Sequence, residues 1–359
     1  MNQAQTIAQL RLASQHLSGT TSHSKLETPQ EIVSWMGAIQ AQDYAMAKWA
    51  IGIRLEGYSE KRIEAAFNQG EMIRTHVLRP TWHFVSPENI RWMLALSAGK
   101  IKAMSKARDR DLEITGALYS KSNQTIQKAL EGMQLTREEL ATELQRAGIE
   151  VDASRMVHFM MRAEVEGIVC SGALKGKSHT YALLDERVAP AKPLHKEEAL
   201  AKLAQIYFNS HGPASLQDFV WWSGLSVSDA KQALGNIQAT LSAEIMNEQT
   251  YWKSQSANNV SVEPPVHLLP AFDEYLISYR DRQAALSQAH YRKVISSNGI
   301  FRPVIIADGQ VIGLWKKPAT QKNPIVFDFF DAPDAFTLNQ VHEAGDRFVS
   351  FSILSSITG

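Results

Sequence analysis

Two side-chain amides, Gln40 and Gln42, stand two residues apart in the stretch Trp35-Met36-Gly37-Ala38-Ile39-Gln40-Ala41-Gln42-Asp43, which is otherwise largely apolar. An amide cannot take a proton as a general base, but it donates and accepts at once, so a pair of them can hold a water and stabilise developing charge. Serving one site together sets a condition on the backbone. Residues two apart on an α-helix lie about 200° apart around its axis, whereas extended backbone puts them on one side. Apolar residues recur at helical spacing before the pair (Ile32, Val33, Trp35, Met36, Ile39) and after it (Tyr44, Ala47, Trp49, Ala50, Ile51, Ile53). Asp43 is a good N-cap for a helix beginning at Tyr44. The sequence therefore predicts a short break over residues 40–43, between two helices, with both amides aimed alike. Capping or satisfying the helix junction is the alternative role for the pair, and Asp43 is read as a cap before it is read as a base.

Three further stretches follow in order: Arg74-Thr75-His76-Val77-Leu78-Arg79-Pro80-Thr81-Trp82-His83-Phe84-Val85; Leu268-Leu269-Pro270-Ala271-Phe272-Asp273-Glu274-Tyr275 with Tyr279-Arg280-Asp281-Arg282 behind it; and Asn298-Gly299 to Trp315. As an ordered set spanning nearly the whole chain, they resemble the AlkZ family of winged-helix DNA glycosylases. The resemblance implies that Gln40 and Gln42 are that family's functional Gln-x-Gln pair. A related branch carries Asp at the second position, and this chain does not. It further implies a monofunctional DNA glycosylase that hydrolyses the N-glycosidic bond of an alkylated base in duplex DNA, an N7-alkylguanine in kind. The fixed positive charge of such a base weakens the bond without enzymatic protonation, so a water held by amides suffices. Whether the lesion is a small methyl adduct, a bulky adduct or an interstrand crosslink stays open. The tight turn Asp308-Gly309 resembles the position of a family hairpin that projects into the DNA cleft. A non-enzymatic winged-helix DNA-binding regulator is the alternative function.

Composition neither requires nor excludes nucleic acid: Lys plus Arg equals Asp plus Glu at 37 each, so a DNA-binding face must come from segregated charge. The densest local excess is the run from Gly99 to Arg110, where Lys100, Lys102, Lys106, Arg108 and Arg110 face one anion. Lys102, Lys106 and Arg110 share one helical face at four-residue spacing; a solvated face and a ridge for DNA phosphates are equal readings. Arg79, Trp82 and His83 fall on or beside a predicted hairpin and are candidate DNA contacts, with packing and turn formation as the alternative. His342-Glu343 lacks the second histidine of a zinc-hydrolase helix, and His76 and His83, seven apart, would point to opposite faces of any single strand. No metal or cofactor is expected. Asp273 and Glu274 read first as a structural salt bridge with Arg280 or Arg282.

The single cysteine, Cys170, excludes an intramolecular disulfide framework, fits a reducing compartment and reads as a buried thiol. No run reaches membrane-spanning length and no signal peptide is evident, so a cytoplasmic monomer, nucleoid-associated when bound to duplex DNA, is expected.

At 359 residues the chain can hold several small cores. A helix over residues 6–17 and a loop over 18–24 precede the two helices around Gln40, a third helix capped by Ser59, and strands over 72–78 and 81–85. Ser86-Pro87 then opens a helix to about Met104. The second unit has the capping box Thr136-Arg137-Glu138-Glu139, a helix capped by Asp152 or Ser154, and strands over 168–171 and 179–184. The third has two Ser-x-x-Asp starts, Ser215 to Asp218 and Ser226 to Asp229, then strands over 239–246 and 250–253. After a loop at 256–259 and Pro264-Pro265, strands over 303–307, 310–315 and 325–330 precede a final helix over 338–351. The fold class is mainly α with β-wings (α+β): three tandem winged-helix units, 1–118 (carrying Gln40 and Gln42), 119–189 and 190–258, then a C-terminal β-rich segment, 259–359.

Overall fold

In a computed structural model the described residues are 3–18, 26–246, 248–255, 266–317 and 325–353. The loop expected after Ser18, the loop at 256–259 and Pro264-Pro265 lie outside them. The fold is mixed α and β with small antiparallel sheets. Three helices followed by a two-stranded antiparallel hairpin recur three times along the chain. The first run is Pro29–Met36, Tyr44–Gly52 and Glu60–Gln69 with Ile73–His76 and Trp82–Val85. The second is Gly116–Leu130, Arg137–Arg146 and Ala153–Val165 with Val169–Ser171 and Thr180–Leu183. The third is Lys196–His211, Leu216–Ser223 and Val227–Ile237 with Leu241–Met246 and Gln249–Ser254. Among the described residues no helix is long and apolar enough to cross a membrane.

By internal contacts the chain divides into two compact units, Met1–Glu64 with Leu200–Gly359, and Ala65–Ala199. The first is built on a four-stranded antiparallel sheet in the order Val326–Phe329, Gln310–Lys316, Val304–Ala307, His267–Leu269. Leu12 and Leu17, far away in sequence, join the core of Leu269, Tyr275, Leu286, Val304 and Leu314. The final helix, Ala335–Ile353, packs on the His267–Leu269 strand, with Phe348 meeting both Trp49 and Trp315 edge-on. The indole N–H groups of Trp49 and Trp315 donate to the carbonyls of Leu268 at 2.7 Å and Leu269 at 2.8 Å. Backbone acceptors of a buried edge strand are thereby satisfied.

The second unit packs Ile126, Leu140, Leu144, Phe159, Met160 and Val169 into one core. Both halves of the Thr136–Glu139 capping box are formed, and Asp152 caps its helix by accepting from the Arg155 N–H at 2.8 Å. Cys170 is fully buried, and burial pushes its thiol up to about 12, which suits a packing role.

Two local readings need correction. The helix opened by Pro87 does not stop near Met104 but runs to Asp111, because Asp109 is anchored by the Tyr119 hydroxyl at 2.7 Å, by His158 at 2.8 Å and by Ser105 at 2.9 Å. Ser86 precedes that helix but makes no side-chain cap. His76 and His83 sit on the two facing strands of the expected hairpin, where Thr75 pairs with His83 and His76 with Trp82.

Candidate active site

The break expected around Gln40 is present, and local sequence explains both of its sides. Thr28 and Glu31 form a capping box at the start of Pro29–Met36. Gly37 ends that helix at φ 76°, and a Cβ there would fall 2.6 Å from the Ile206 methyl, so only glycine fits. Ile39–Gln40 is a two-residue strand, and Asp43 caps Tyr44–Gly52 by accepting from the Met46 N–H at 3.1 Å. Ala38, Ile39 and Ala41 are buried and pin the segment. The two amides, expected alike, occupy different environments: Gln40 is 7% exposed and Gln42 is open to solvent.

Behind Gln40 lies a buried polar cluster that the sequence did not announce. The Gln40 N–H donates to Glu274 Oε1 at 2.7 Å, and the Ser278 hydroxyl donates to Glu274 Oε2 in a very short bond. Glu274 is 1% exposed. His211 Nε2 lies 4.0 Å from the same Oε2, and its ring stacks on Tyr207, whose hydroxyl donates to the Ser278 carbonyl at 3.1 Å. The Tyr279 hydroxyl donates to the His211 carbonyl at 2.8 Å and receives the Gln15 amide at 3.0 Å.

Asp273 does not pair with Arg280 or Arg282, as the sequence suggested. Asp273 is held by Arg54, through bonds of 2.9 Å and 2.8 Å, and it caps the short Glu274–Ile277 helix. Arg280 contributes its backbone instead: its N–H and that of Asp281 donate to Asp218 Oδ1 at 2.9 Å and 3.2 Å, while Asp218 also meets Arg11. Arg282 bonds the Leu276 carbonyl at 2.9 Å. A charge inside an apolar run is the signal that could have found these partners, since an ionised side chain is buried only when paired. Arg54 follows Ile51-Gly52-Ile53 and precedes Leu55, and Glu274 precedes Tyr275-Leu276-Ile277.

The remaining candidates separate. Asp308-Gly309 makes the predicted two-residue turn, with Ala307 paired to Gln310, but the turn is seated on the Gln3–Ser14 helix. Asp308 accepts from Gln9 at 2.6 Å and, closer still, from Gln5, and a Cβ on Gly309 would strike Ala8 at 2.8 Å. The Tyr275 hydroxyl bonds the Gly309 carbonyl at 2.8 Å. The turn is thus held from both sides, by the N-terminal helix and by Tyr275.

In the second unit His83 is 1% exposed, its Nδ1 2.9 Å from the Thr81 carbonyl and its Nε2 3.4 Å from Arg79. Burial first, then the Arg79 charge, hold its pKa well below the ordinary histidine value, so it stays neutral beside Arg79. Trp82 is half-buried under Arg74, 4.3 Å from the ring centre, with Arg137 at 5.8 Å. On the Pro87–Asp111 helix, Lys100, Lys106, Arg108 and Arg110 are exposed; Lys102 is half-exposed and 3.4 Å from Glu166, and Arg108 is 3.7 Å from Asp111.

This arrangement has known relatives. A curated protein of Streptomyces sahachiroi, described as an interstrand DNA cross-link repair glycosylase, is 22% identical over 308 residues, covering 80% of this chain and 81% of the relative. The solved structure of Streptomyces sahachiroi DNA glycosylase AlkZ superposes with a TM-score of 0.81 at 19% identity, covering 97% of this chain and 96% of that one. At that identity the superposition speaks for the fold alone. The family model described as "DNA glycosylase AlkZ-like" matches residues 33–351, a span that contains both glutamines and Tyr207, His211, Glu274, Ser278 and Tyr279 behind them, and the chain belongs to the AlkZ-like family of DNA glycosylases.

Proposed function

We propose that this DNA glycosylase excises N7-alkylated guanine from duplex DNA by hydrolysis, with Gln40 and Gln42 holding the attacking water. The water oxygen bonds the sugar C1′, the C1′–N9 bond breaks, and its electron pair neutralises the departing cationic base. The water's proton leaves to solvent, because an amide cannot take it. The observation that carries this reading is the non-helical break at Ile39–Gln40, which brings one nearly buried and one exposed side-chain amide into a single short segment whose backbone N–H at Gln40 is held by Glu274. Crosslinked duplexes enter the proposed range because the curated relative is described as a cross-link repair glycosylase. The test is incubation with duplexes carrying N7-methylguanine or an N7-linked interstrand crosslink, followed by assay for released base and alkali-labile sites. Binding without release from either duplex would remove the reading and favour a DNA-binding regulator.

In the same proposal the phosphates are met by the basic face of the Pro87–Asp111 helix, with Arg79 and Trp82 as further contacts. Lys106 and Arg110 are exposed on this face, while Lys102 is partly neutralised by Glu166. Replacing Lys106 or Arg110 by Ala is expected to lower the log–log salt dependence of duplex affinity by about one unit each, and Lys102→Ala by less, since each lost phosphate contact releases fewer counterions. An unchanged slope in Lys106→Ala and Arg110→Ala, measured by titration across salt concentrations, would place the DNA elsewhere.

A further inference from the structure

We propose that Glu274 is a positioning residue for the excision reaction: its buried carboxyl group holds the Gln40 backbone and so fixes where the Gln40 amide meets the water. The proposal rests on the reading of Gln40 given above. A glutamine side chain has three rotatable bonds, so its amide is placed only as well as its backbone is. Gln40 sits in a break, where helical hydrogen bonding cannot satisfy its N–H, and Glu274 Oε1 accepts that N–H at 2.7 Å. A neutral backbone carbonyl would satisfy one N–H at less desolvation cost than a carboxyl group that is 1% exposed. The carboxyl group does more, because its two oxygens are held from different elements.

Oε1 takes Gln40 and Oε2 takes the Ser278 hydroxyl, so the group cannot turn without breaking one of the two. Ser278 is itself fixed by Tyr207, whose ring stacks on His211 with centroids 4.9 Å apart. One residue earlier, Asp273 is locked by Arg54. The clamp thus rises from two buried supports, and it reaches Gln40 across 234 residues of sequence.

Two near-isosteric variants separate reach from charge. Glu274→Gln keeps an acceptor oxygen at the same distance and loses the charge; Glu274→Asp keeps the charge and withdraws the oxygens by about 1.5 Å, one C–C bond. Single-turnover excision at saturating enzyme is expected to fall by about 10²-fold in Glu274→Asp, the scale of a 1 Å misplacement. It should stay within about tenfold of the parent in Glu274→Gln, since a neutral acceptor makes a bond roughly half as strong as a charged one. Duplex affinity should be unchanged in both, as Glu274 does not reach the surface. Hydrogen exchange at the Gln40 amide should accelerate in Glu274→Asp and stay slow in Glu274→Gln.

A folded Glu274→Asp that excises at the parent rate overturns the proposal. So does a Glu274→Gln as slow as the Asp variant, which would make charge rather than reach the requirement. Should Glu274→Asp not fold, Ser278→Ala removes only the hydroxyl on Oε2; about tenfold slower excision supports the clamp, the loss expected when one hydrogen bond of about 1.4 kcal/mol is removed, and the parent rate overturns it. The exchange measurement needs no substrate. If the parent excised no base, the functional reading would fall while exchange still decided the clamp; if exchange at Gln40 ignored Glu274→Asp, the clamp would fall while the functional reading stood.

Discussion

Gln40→Ala and Gln42→Ala are each expected to lose roughly 10²- to 10³-fold of single-turnover excision, the loss seen when one donor is removed from a preorganised site, while binding duplex DNA about as tightly as the parent. If both amides hold one water, the double variant should lose less than the product of the single losses, because the second removal finds the water already displaced. The two variants will not behave alike in the free protein. Gln42 is exposed, so its truncation should leave the thermal transition unchanged. Gln40 is nearly buried, so truncation there is also expected to lower stability, and its rate must be read on the folded fraction. Asp43→Asn is the control: it keeps an oxygen that can cap Tyr44–Gly52 and removes the only carboxylate in the break. Activity near the parent's in Asp43→Asn, with both Ala variants inactive, assigns the chemistry to the amides. An inactive, folded Asp43→Asn would transfer it to Asp43.

What the sequence made legible was mostly local in chain distance. The Thr136–Glu139 and Ser215–Asp218 boxes, the Ser226 and Asp43 caps, and the turn at Asp308-Gly309 are encoded within a few residues and formed as read. The break at Gln40 was legible for the same reason: residue spacing on either side of it fixed two helices and left the pair between them. What was not legible depends on partners far along the chain. Nothing near Gln40 indicates that its N–H will meet Glu274, and nothing near Asp273 names Arg54 over the closer Arg280 and Arg282. Asp308-Gly309 shows the same limit. Its turn chemistry could be read from two residues, but its seat on the N-terminal helix is set by Gln5 and Gln9, roughly 300 positions earlier. The equal aim expected of Gln40 and Gln42 was an inference from extended backbone, and only Ile39–Gln40 is extended enough to be a strand.

The second large effect is expected at Arg54 and Asp273, whose side chains are each 1% exposed. All five guanidinium N–H groups are used: Nε bonds the Gln15 carbonyl at 3.0 Å, Nη1 bonds Ala50 O at 2.7 Å and Asp273 at 2.9 Å, and Nη2 bonds Gln15 Oε1 at 3.0 Å and Asp273 at 2.8 Å. On the other side, Asp273 Oδ1 also accepts from the Tyr275 N–H at 2.9 Å. The pair therefore ties the end of Tyr44–Gly52 and the N-terminal residues to the turn that presents Glu274. Removing one member leaves the other charged, buried and short of partners, which costs about 3–5 kcal/mol where it has been measured for such pairs. Arg54→Met and Asp273→Ala should each lower the free energy of unfolding by that amount in denaturant titrations. Their double variant should cost clearly less than the sum, since no stranded charge remains once both are gone. Part of the Asp273 loss will persist in the double variant, because the Tyr275 cap is lost with it. Single losses below about 1 kcal/mol that simply add would resemble a solvent-screened surface pair, and Arg54 could then not be the support on which Asp273 and the neighbouring Glu274 are held in place.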